Sequence, residues 1–314
     1  MQPFCSTITS RLVAPTTHQI FKTIEALDNK FESFGFPHPY AKDRKIVAAY
    51  TLASIAGCIA LTSASAVYQN VDMEYSIETN FFALQYAMTG VYSTCAAYFV
   101  LDRFFVLLNT IRTQFPLSEL SEDDVITTIK LWIKCKKQLI LLKHVKLTMD
   151  RLNLTVNHLN QCFAIQMFFC VAASFVIGIV CSFNFSRAII YRNDQLIATG
   201  ISFTWFLFYL AFVLIFIAIA SRISTEIQRT GIFVHKAIYF CTTSRAIINE
   251  PFTNFALHSS FQSLLQLKPV VSSGFFVYDW SLLYTMLGTT ATYLIILIQF
   301  DVSFIRAIDQ QYRL

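Results

Sequence analysis

Five charge-free apolar stretches, each long enough to cross a bilayer, decide what this chain can become. They cover residues 46–71, 79–101, 152–186, 195–221 and 280–300, and each is bounded at both ends by a charged side chain. About 20 apolar residues suffice for a helix to span the hydrocarbon core. Within that core only a helix or a closed barrel satisfies the backbone. The composition agrees: 55% of the 314 residues are apolar and 14% are charged, where a soluble domain carries about 25% charge. The expected fold class is therefore an all-α polytopic membrane protein with five spans, at about residues 46–68, 81–108, 161–183, 198–221 and 280–300. A sixth charge-free run, 251–267, holds Pro251, Asn254 and His258 and reads as an amphipathic helix at the surface or in a bundle, not as a span.

The positive-inside rule sets the orientation. Segments 1–45, 109–160 and 222–279 carry 6, 8 and 5 Lys or Arg, against none, two and two in segments 72–78, 187–194 and 301–314. The N-terminal segment 1–45 is thus expected in the cytoplasm and the tail 301–314 outside. The surplus of positive charge belongs to a membrane face, so lipid is the implied partner and nucleic acid is not. Residues 131–154 mix Lys with aliphatic side chains and lack Gly and Pro, which favours helix. Segments 109–160 and 222–279 are expected to be long helical extensions of the spans into the cytoplasm, the second forming an anchor. The first 45 residues lack a signal-peptide core.

The eight Cys and six His show no paired or metal-ligand spacing, and no phosphate-binding or nucleophile motif is present. The expectation is a protein that is not an enzyme and holds no cofactor or metal.

The last span carries the sharpest pattern. At about 100° per residue, Ser281, Thr285, Gly288, Thr292 and Gln299 share one face, with Thr289 at its edge and Ile295 and Ile296 in its path. A stripe of small and polar groups interrupted by isoleucines suits a pore lining with a hydrophobic constriction. It equally suits close helix packing with hydroxyls bonding across the contact. The rows Ala49, Ala53, Gly57 and Ala56, Ala60, Ala64 in the first span read as packing only.

The residues Thr292-Tyr293-Leu294-Ile295-Ile296-Leu297-Ile298-Gln299-Phe300 resemble the signature of insect gustatory receptors: Thr-Tyr, five apolar residues, Gln-Phe, at the end of the last span. The approach from Gly274 to Leu283 and the run from Arg103-Phe104 to Leu108-Asn109 look like that family too, as does the order of long helices between spans. The resemblance implies a plasma-membrane taste receptor with a cytoplasmic N-terminus and seven helices. It implies a ligand-gated cation channel assembled as a homo- or hetero-tetramer of related subunits and opened by a small-molecule tastant. Gln299 and Phe300 would form the gate, with Ile295 and Ile296 lining the approach and Thr292 and Tyr293 supporting it. Five spans are found where seven are implied, so two more are expected before residue 1, the chain being a fragment or a short form. Leu294 stands where sugar-sensing members often carry an acid, which favours a bitter-type or orphan receptor.

Ligand-contact candidates lie in the outer halves of the spans: Gln85 and Tyr86 in the second, and Ser202, Thr204, Trp205 and Tyr209 in the fourth. Aromatic walls with a few polar groups suit a small, mostly apolar ligand, and an interfacial aromatic belt or plain packing is the alternative. Asp102-Arg103-Phe104 invites a G-protein-coupled chemoreceptor reading, against which a local ion pair at a helix end is favoured. Asn184-Phe185-Ser186 is a glycosylation sequon on the outer side.

The charge bias predicts that an N-terminal tag is protected on intact cells and a C-terminal tag is stained by antibody without permeabilisation. The opposite pattern would reverse every assignment of inside and outside above.

Overall fold

In the computed structural model, residues 2–33, 40–68, 73–114, 128–190, 196–243 and 270–311 are described. They form six helices: α1 (Gln2–Ser33), α2 (Tyr40–Tyr68), α3 (Met73–Gln114), α4 (Thr128–Ile190), α5 (Leu196–Thr243) and α6 (Trp280–Gln311). Five are long and apolar enough to cross a membrane, over Tyr40–Tyr68, Ala83–Thr113, Lys143–Ile190, Leu196–Val234 and Trp280–Ser303. Among the described residues the only extended pairing is one isolated bridge, Ser272 with Val277. The chain is an all-α multi-pass membrane protein. The sixth charge-free run, 251–267, lies outside the described residues.

The spans do not stop at the edge of their apolar stretches. α4 runs for 63 residues and α5 for 48 without interruption. α6 continues past residue 300 to Gln311, into what the sequence marks only as a tail. No proline falls within α4, α5 or α6 to end them.

α3 is the central element. Two-thirds of its most apolar window (67%) is buried, against 11% for α2 and 6% for α6. α3 packs against α1, α2, α4 and α5, while the main neighbours of α6 among the described residues are α4 and α5. The N-terminal segment, read from sequence merely as charged and cytoplasmic, is a helix with a real apolar seam. Ile20, Ile24, Leu27 and Phe31 recur at helical spacing and are buried against α3 and α4.

Three phenylalanines of α5 seat on glycines of its neighbours. Phe206 lies over Gly178 of α4, Phe208 over Gly57 of α2 and Phe212 over Gly90 of α3. A Cβ at Gly178 would meet the Phe206 ring at 2.6 Å and one at Gly57 would meet Phe208 at 2.7 Å. Glycine here admits a ring where any side chain would displace it. The alanine rows of α2 behave otherwise: Ala49, Ala53, Ala56 and Ala60 are exposed, so within this chain only Gly57 serves the packing read from the pattern.

One buried ionic cluster ties α1, α2 and α3 together. The Arg103 guanidinium, 2% exposed, donates through Nη2 and Nε to both Asp28 carboxylate oxygens at 2.7 and 3.1 Å, and through Nη1 to Asp43 Oδ2 at 3.2 Å. The Tyr40 hydroxyl donates to Asp28 at 2.9 Å and that of Tyr98 to Asp43 at 3.4 Å. The expected local pair exists, with Asp102 at 3.7 Å, but it is the longest of these. The local helix-end pair read from Asp102-Arg103-Phe104 is therefore one part of a larger cluster: Arg103, withdrawn from water between α1, α2 and α3, also takes carboxylates 75 and 60 residues away in sequence, because a buried charge needs partners.

Removing one partner of such a cluster leaves the other charges buried and unpaired, which costs about 3–5 kcal/mol. Arg103→Leu should therefore lower the thermal unfolding midpoint in detergent markedly, and Arg103→Lys, which cannot make the bidentate bond, should fall between. An unchanged midpoint for Arg103→Leu would show that the cluster does not hold α1 and α2.

Candidate functional site

The first candidate region is an aromatic cluster where α2, α3, α4 and α5 meet. Tyr86 of α3 and Tyr209 of α5 meet edge to face with centroids 4.6 Å apart, and Trp205 lies 5.5 Å from Tyr209. Phe208 and Phe212 extend the ring contacts. The polar tips of Tyr86 and Trp205 have partners on other helices. The Tyr86 hydroxyl lies 2.8 Å from Ser174 Oγ and donates to the Cys170 carbonyl at 3.2 Å, both on α4. Trp205 Nε1 donates to Ser65 Oγ of α2 at 2.9 Å. These rings are large apolar bodies with hydrogen-bonding ends, and no charged group takes part in the contacts just described.

Of the six ligand candidates, the structure brings together Tyr86, Trp205 and Tyr209. Thr204 is exposed and donates to the Gly200 carbonyl of its own helix, so it lies off the cluster. Ser202 donates to Ala198 in the same way. Gln85 is half-buried, and its carbonyl accepts from Thr89. Ser65, Cys170 and Ser174 are the partners that sequence reading missed. A lone Ser or Cys in an apolar run carries no signal until the neighbouring helix is placed beside it.

The second region is α6. The helix presents Leu283 and Met286 inward, at 8% and 9% exposure. Ser281, Thr285, Gly288, Thr292, Ile295, Ile296 and Gln299 are exposed, on the face turned away from α4 and α5, and Thr289 is half-buried at its edge. Phe300 is 71% exposed and Tyr293 50%. The stripe read from the sequence is thus not spent on packing within this chain. Its hydroxyls are satisfied locally, since Thr285, Thr289 and Thr292 each donate to the carbonyl four residues back. Gln299 has no such route. A primary amide offers two donors and an acceptor that its own helix cannot satisfy, so it alone on this face calls for water or a partner.

The start of α6 is fixed from α4. The Asn160 side chain donates from Nδ2 to the Val270 carbonyl at 2.8 Å and accepts from the Ser272 amide at 3.2 Å. The turn that follows closes on Gly274 at φ 85°, a conformation open to glycine. The Tyr278 hydroxyl donates to the Ala164 carbonyl of α4 at 3.4 Å, and burial pushes that phenol above its ordinary range, keeping it a donor. Asp279 caps α6 by accepting from the Leu282 amide at 3.1 Å. Further along, Phe175 of α4 meets Tyr293 edge to face at 6.4 Å. Phe175 directly follows Ser174, which holds Tyr86, so α4 touches both candidate regions at adjacent residues.

The profile of the family described as 7tm chemosensory receptor matches residues 3–304. The chain belongs to this family. This chemosensory receptor also resembles a Drosophila melanogaster protein named "Putative gustatory receptor 2a", with 28% identity over 181 residues, covering 51% of the chain and 41% of that protein. The chain thus spans about two-fifths of the length of the curated relative it matches. The family is one of chemosensory receptors and not of enzymes.

Asn184 of the receptor is exposed, but it sits inside α4, which continues to Ile190, and Phe185 stacks on Phe203 at 5.0 Å. The sequon is presented as helix, not as a surface loop.

Asn160→Ala removes both bonds that pin the turn before α6, at a cost of about 1–3 kcal/mol. The expected outcome is faster limited proteolysis around Gly274 in membranes, while Asn160→Asp, which keeps the acceptor, is affected less. Equal rates in all three proteins would show that the turn is held by other means.

Proposed function

We propose that this protein is a taste-receptor subunit of the plasma membrane, forming a ligand-gated cation channel in which four copies of α6 surround one aqueous axis. The observation that carries the reading is the stripe of Ser281, Thr285, Gly288, Thr292 and Gln299 within the broad exposed arc of α6, interrupted by Ile295 and Ile296, flanked by exposed Tyr284 and Leu287 and ending beside exposed Phe300. A helix so lightly covered by its own chain has a face left for equivalent helices, and Gln299 gains water or a neighbouring amide there. Gln299 and Phe300 form the gate. The N-terminus is cytoplasmic, and the subunit assembles with copies of itself or with related receptors.

The small-molecule tastant binds at the Tyr86, Trp205 and Tyr209 cluster. The rings touch one another, so a ligand opens the cluster by displacing them, and it is a neutral, mostly apolar molecule with one or two hydrogen-bonding groups. Ligand that binds the opened cluster better than the closed one shifts the population toward it. The shift reaches α6 through Ser174 and Phe175 to Tyr293. Leu294, apolar where an acid would suit a sugar, supports a bitter-type ligand. The G-protein-coupled alternative rested on Asp102-Arg103-Phe104, and Arg103 is spent on joining three helices.

Gln299→Ala and Phe300→Ala, expressed in the full-length receptor, should alter the relative permeability of sodium, potassium and calcium and raise the current without stimulus. If both properties match the unmodified receptor, α6 does not line the conduction path.

A further inference from the structure

In the second half of α6, just past Phe300, Arg187 of α4 donates from Nε to Asp301 Oδ2 at 3.2 Å. Asp301 directly follows Gln299 and Phe300, and its side chain is 15% exposed, whereas that of Arg187 is 48% exposed. The guanidinium also lies over the Phe183 ring of its own helix, 5.8 Å from the centroid. We propose that the Arg187–Asp301 ion pair holds the second half of α6 against α4 in the resting state, making Arg187 a positioning residue for the gate. The inference rests on the pore reading of α6 given above.

Three observations support it. First, α6 has little else to hold it: its main neighbours among the described residues are α4 and α5, and its apolar window is the least buried of the five spans. Second, the pair sits one residue beyond the gate, so any displacement of Asp301 carries Phe300 with it. Third, the two charges are unequal in exposure. A carboxylate largely withdrawn from water needs its cation more than the half-exposed guanidinium needs the carboxylate. Opening the pair removes a bond between α6 and α4 one residue beyond Phe300. Contact of α4 with the aromatic cluster, through Cys170 and Ser174, puts ligand and ion pair on one rigid element.

The test measures cation conductance without any stimulus in membranes expressing the full-length receptor. Arg187→Glu and Asp301→Arg should each raise it by about two- to fivefold, the worth of a partly exposed pair. The double reversal, which restores the pair with opposite polarity, should bring it back. Single variants that leave it unchanged, or a double variant no better than the singles, overturn the proposal. Gln299→Ala in the same membranes separates the two readings. Altered ion selectivity there with silent Arg187 and Asp301 variants leaves the pore standing and removes the ion pair's role; unaltered selectivity removes the pore, and this role with it. Where a reversal keeps the protein from the surface, Arg187→Cys with Asp301→Cys and a short bifunctional thiosulfonate replaces it. Cross-linking should suppress conductance, reversibly on reduction, and a cross-linked receptor that conducts as before also overturns the proposal.

Discussion

Hydrocarbon offers no hydrogen-bond partner, and the polar groups of the five spans are placed accordingly. Hydroxyls on α2, α3 and α6 donate to carbonyls one turn back, as Ser54, Thr89, Ser93 and Thr285 do. The polar tips of Tyr86, Trp205 and Tyr278 reach another helix. The buried guanidinium of Arg103 takes carboxylates from two other helices and so fixes the N-terminal third of the chain around α3. Gln299 stands apart because a primary amide cannot be satisfied by its own helix. The same constraint leaves this exposed amide looking to water or to a group outside the subunit.

α4 links the parts that matter for function. It carries Asn160, which sets where α6 begins, Ser174 and Phe175, which touch the aromatic cluster and the middle of α6, and Arg187, which meets α6 just past Phe300. These residues lie on one uninterrupted helix. α5 contributes the cluster's other rings, and its phenylalanines are seated on glycines of α2, α3 and α4, so the helices around the cluster are joined through ring contacts that a bound molecule would disturb together.

Much of this was legible in the sequence. The absence of charge over long stretches located the spans, because the membrane penalises each charge by itself, without reference to tertiary structure. The stripe on α6 was legible for the same reason: a helix wheel needs only local geometry, and its residues lie within the broad exposed arc of α6, which also takes in Tyr284 and Leu287. Partnerships were not legible. Nothing local says that Arg103 reaches Asp28 and Asp43, that Asn160 holds the backbone 110 residues on, or that Ser202 and Thr204 would spend their hydroxyls on their own helix. The N-terminal segment was underread because its charges were counted and its Ile20, Ile24, Leu27 and Phe31 seam was not.

The pinned turn before α6 gives that helix a pivot. From Trp280 to Gln299 the axis extends about 28 Å at a rise of about 1.5 Å per residue. A tilt of about 5° at the fixed end then sweeps the amide of Gln299 through about 2.5 Å, close to the diameter of a water molecule. In the channel proposed above, a lever of this length would turn a rearrangement too small to break the bundle into the difference between a shut and a hydrated passage.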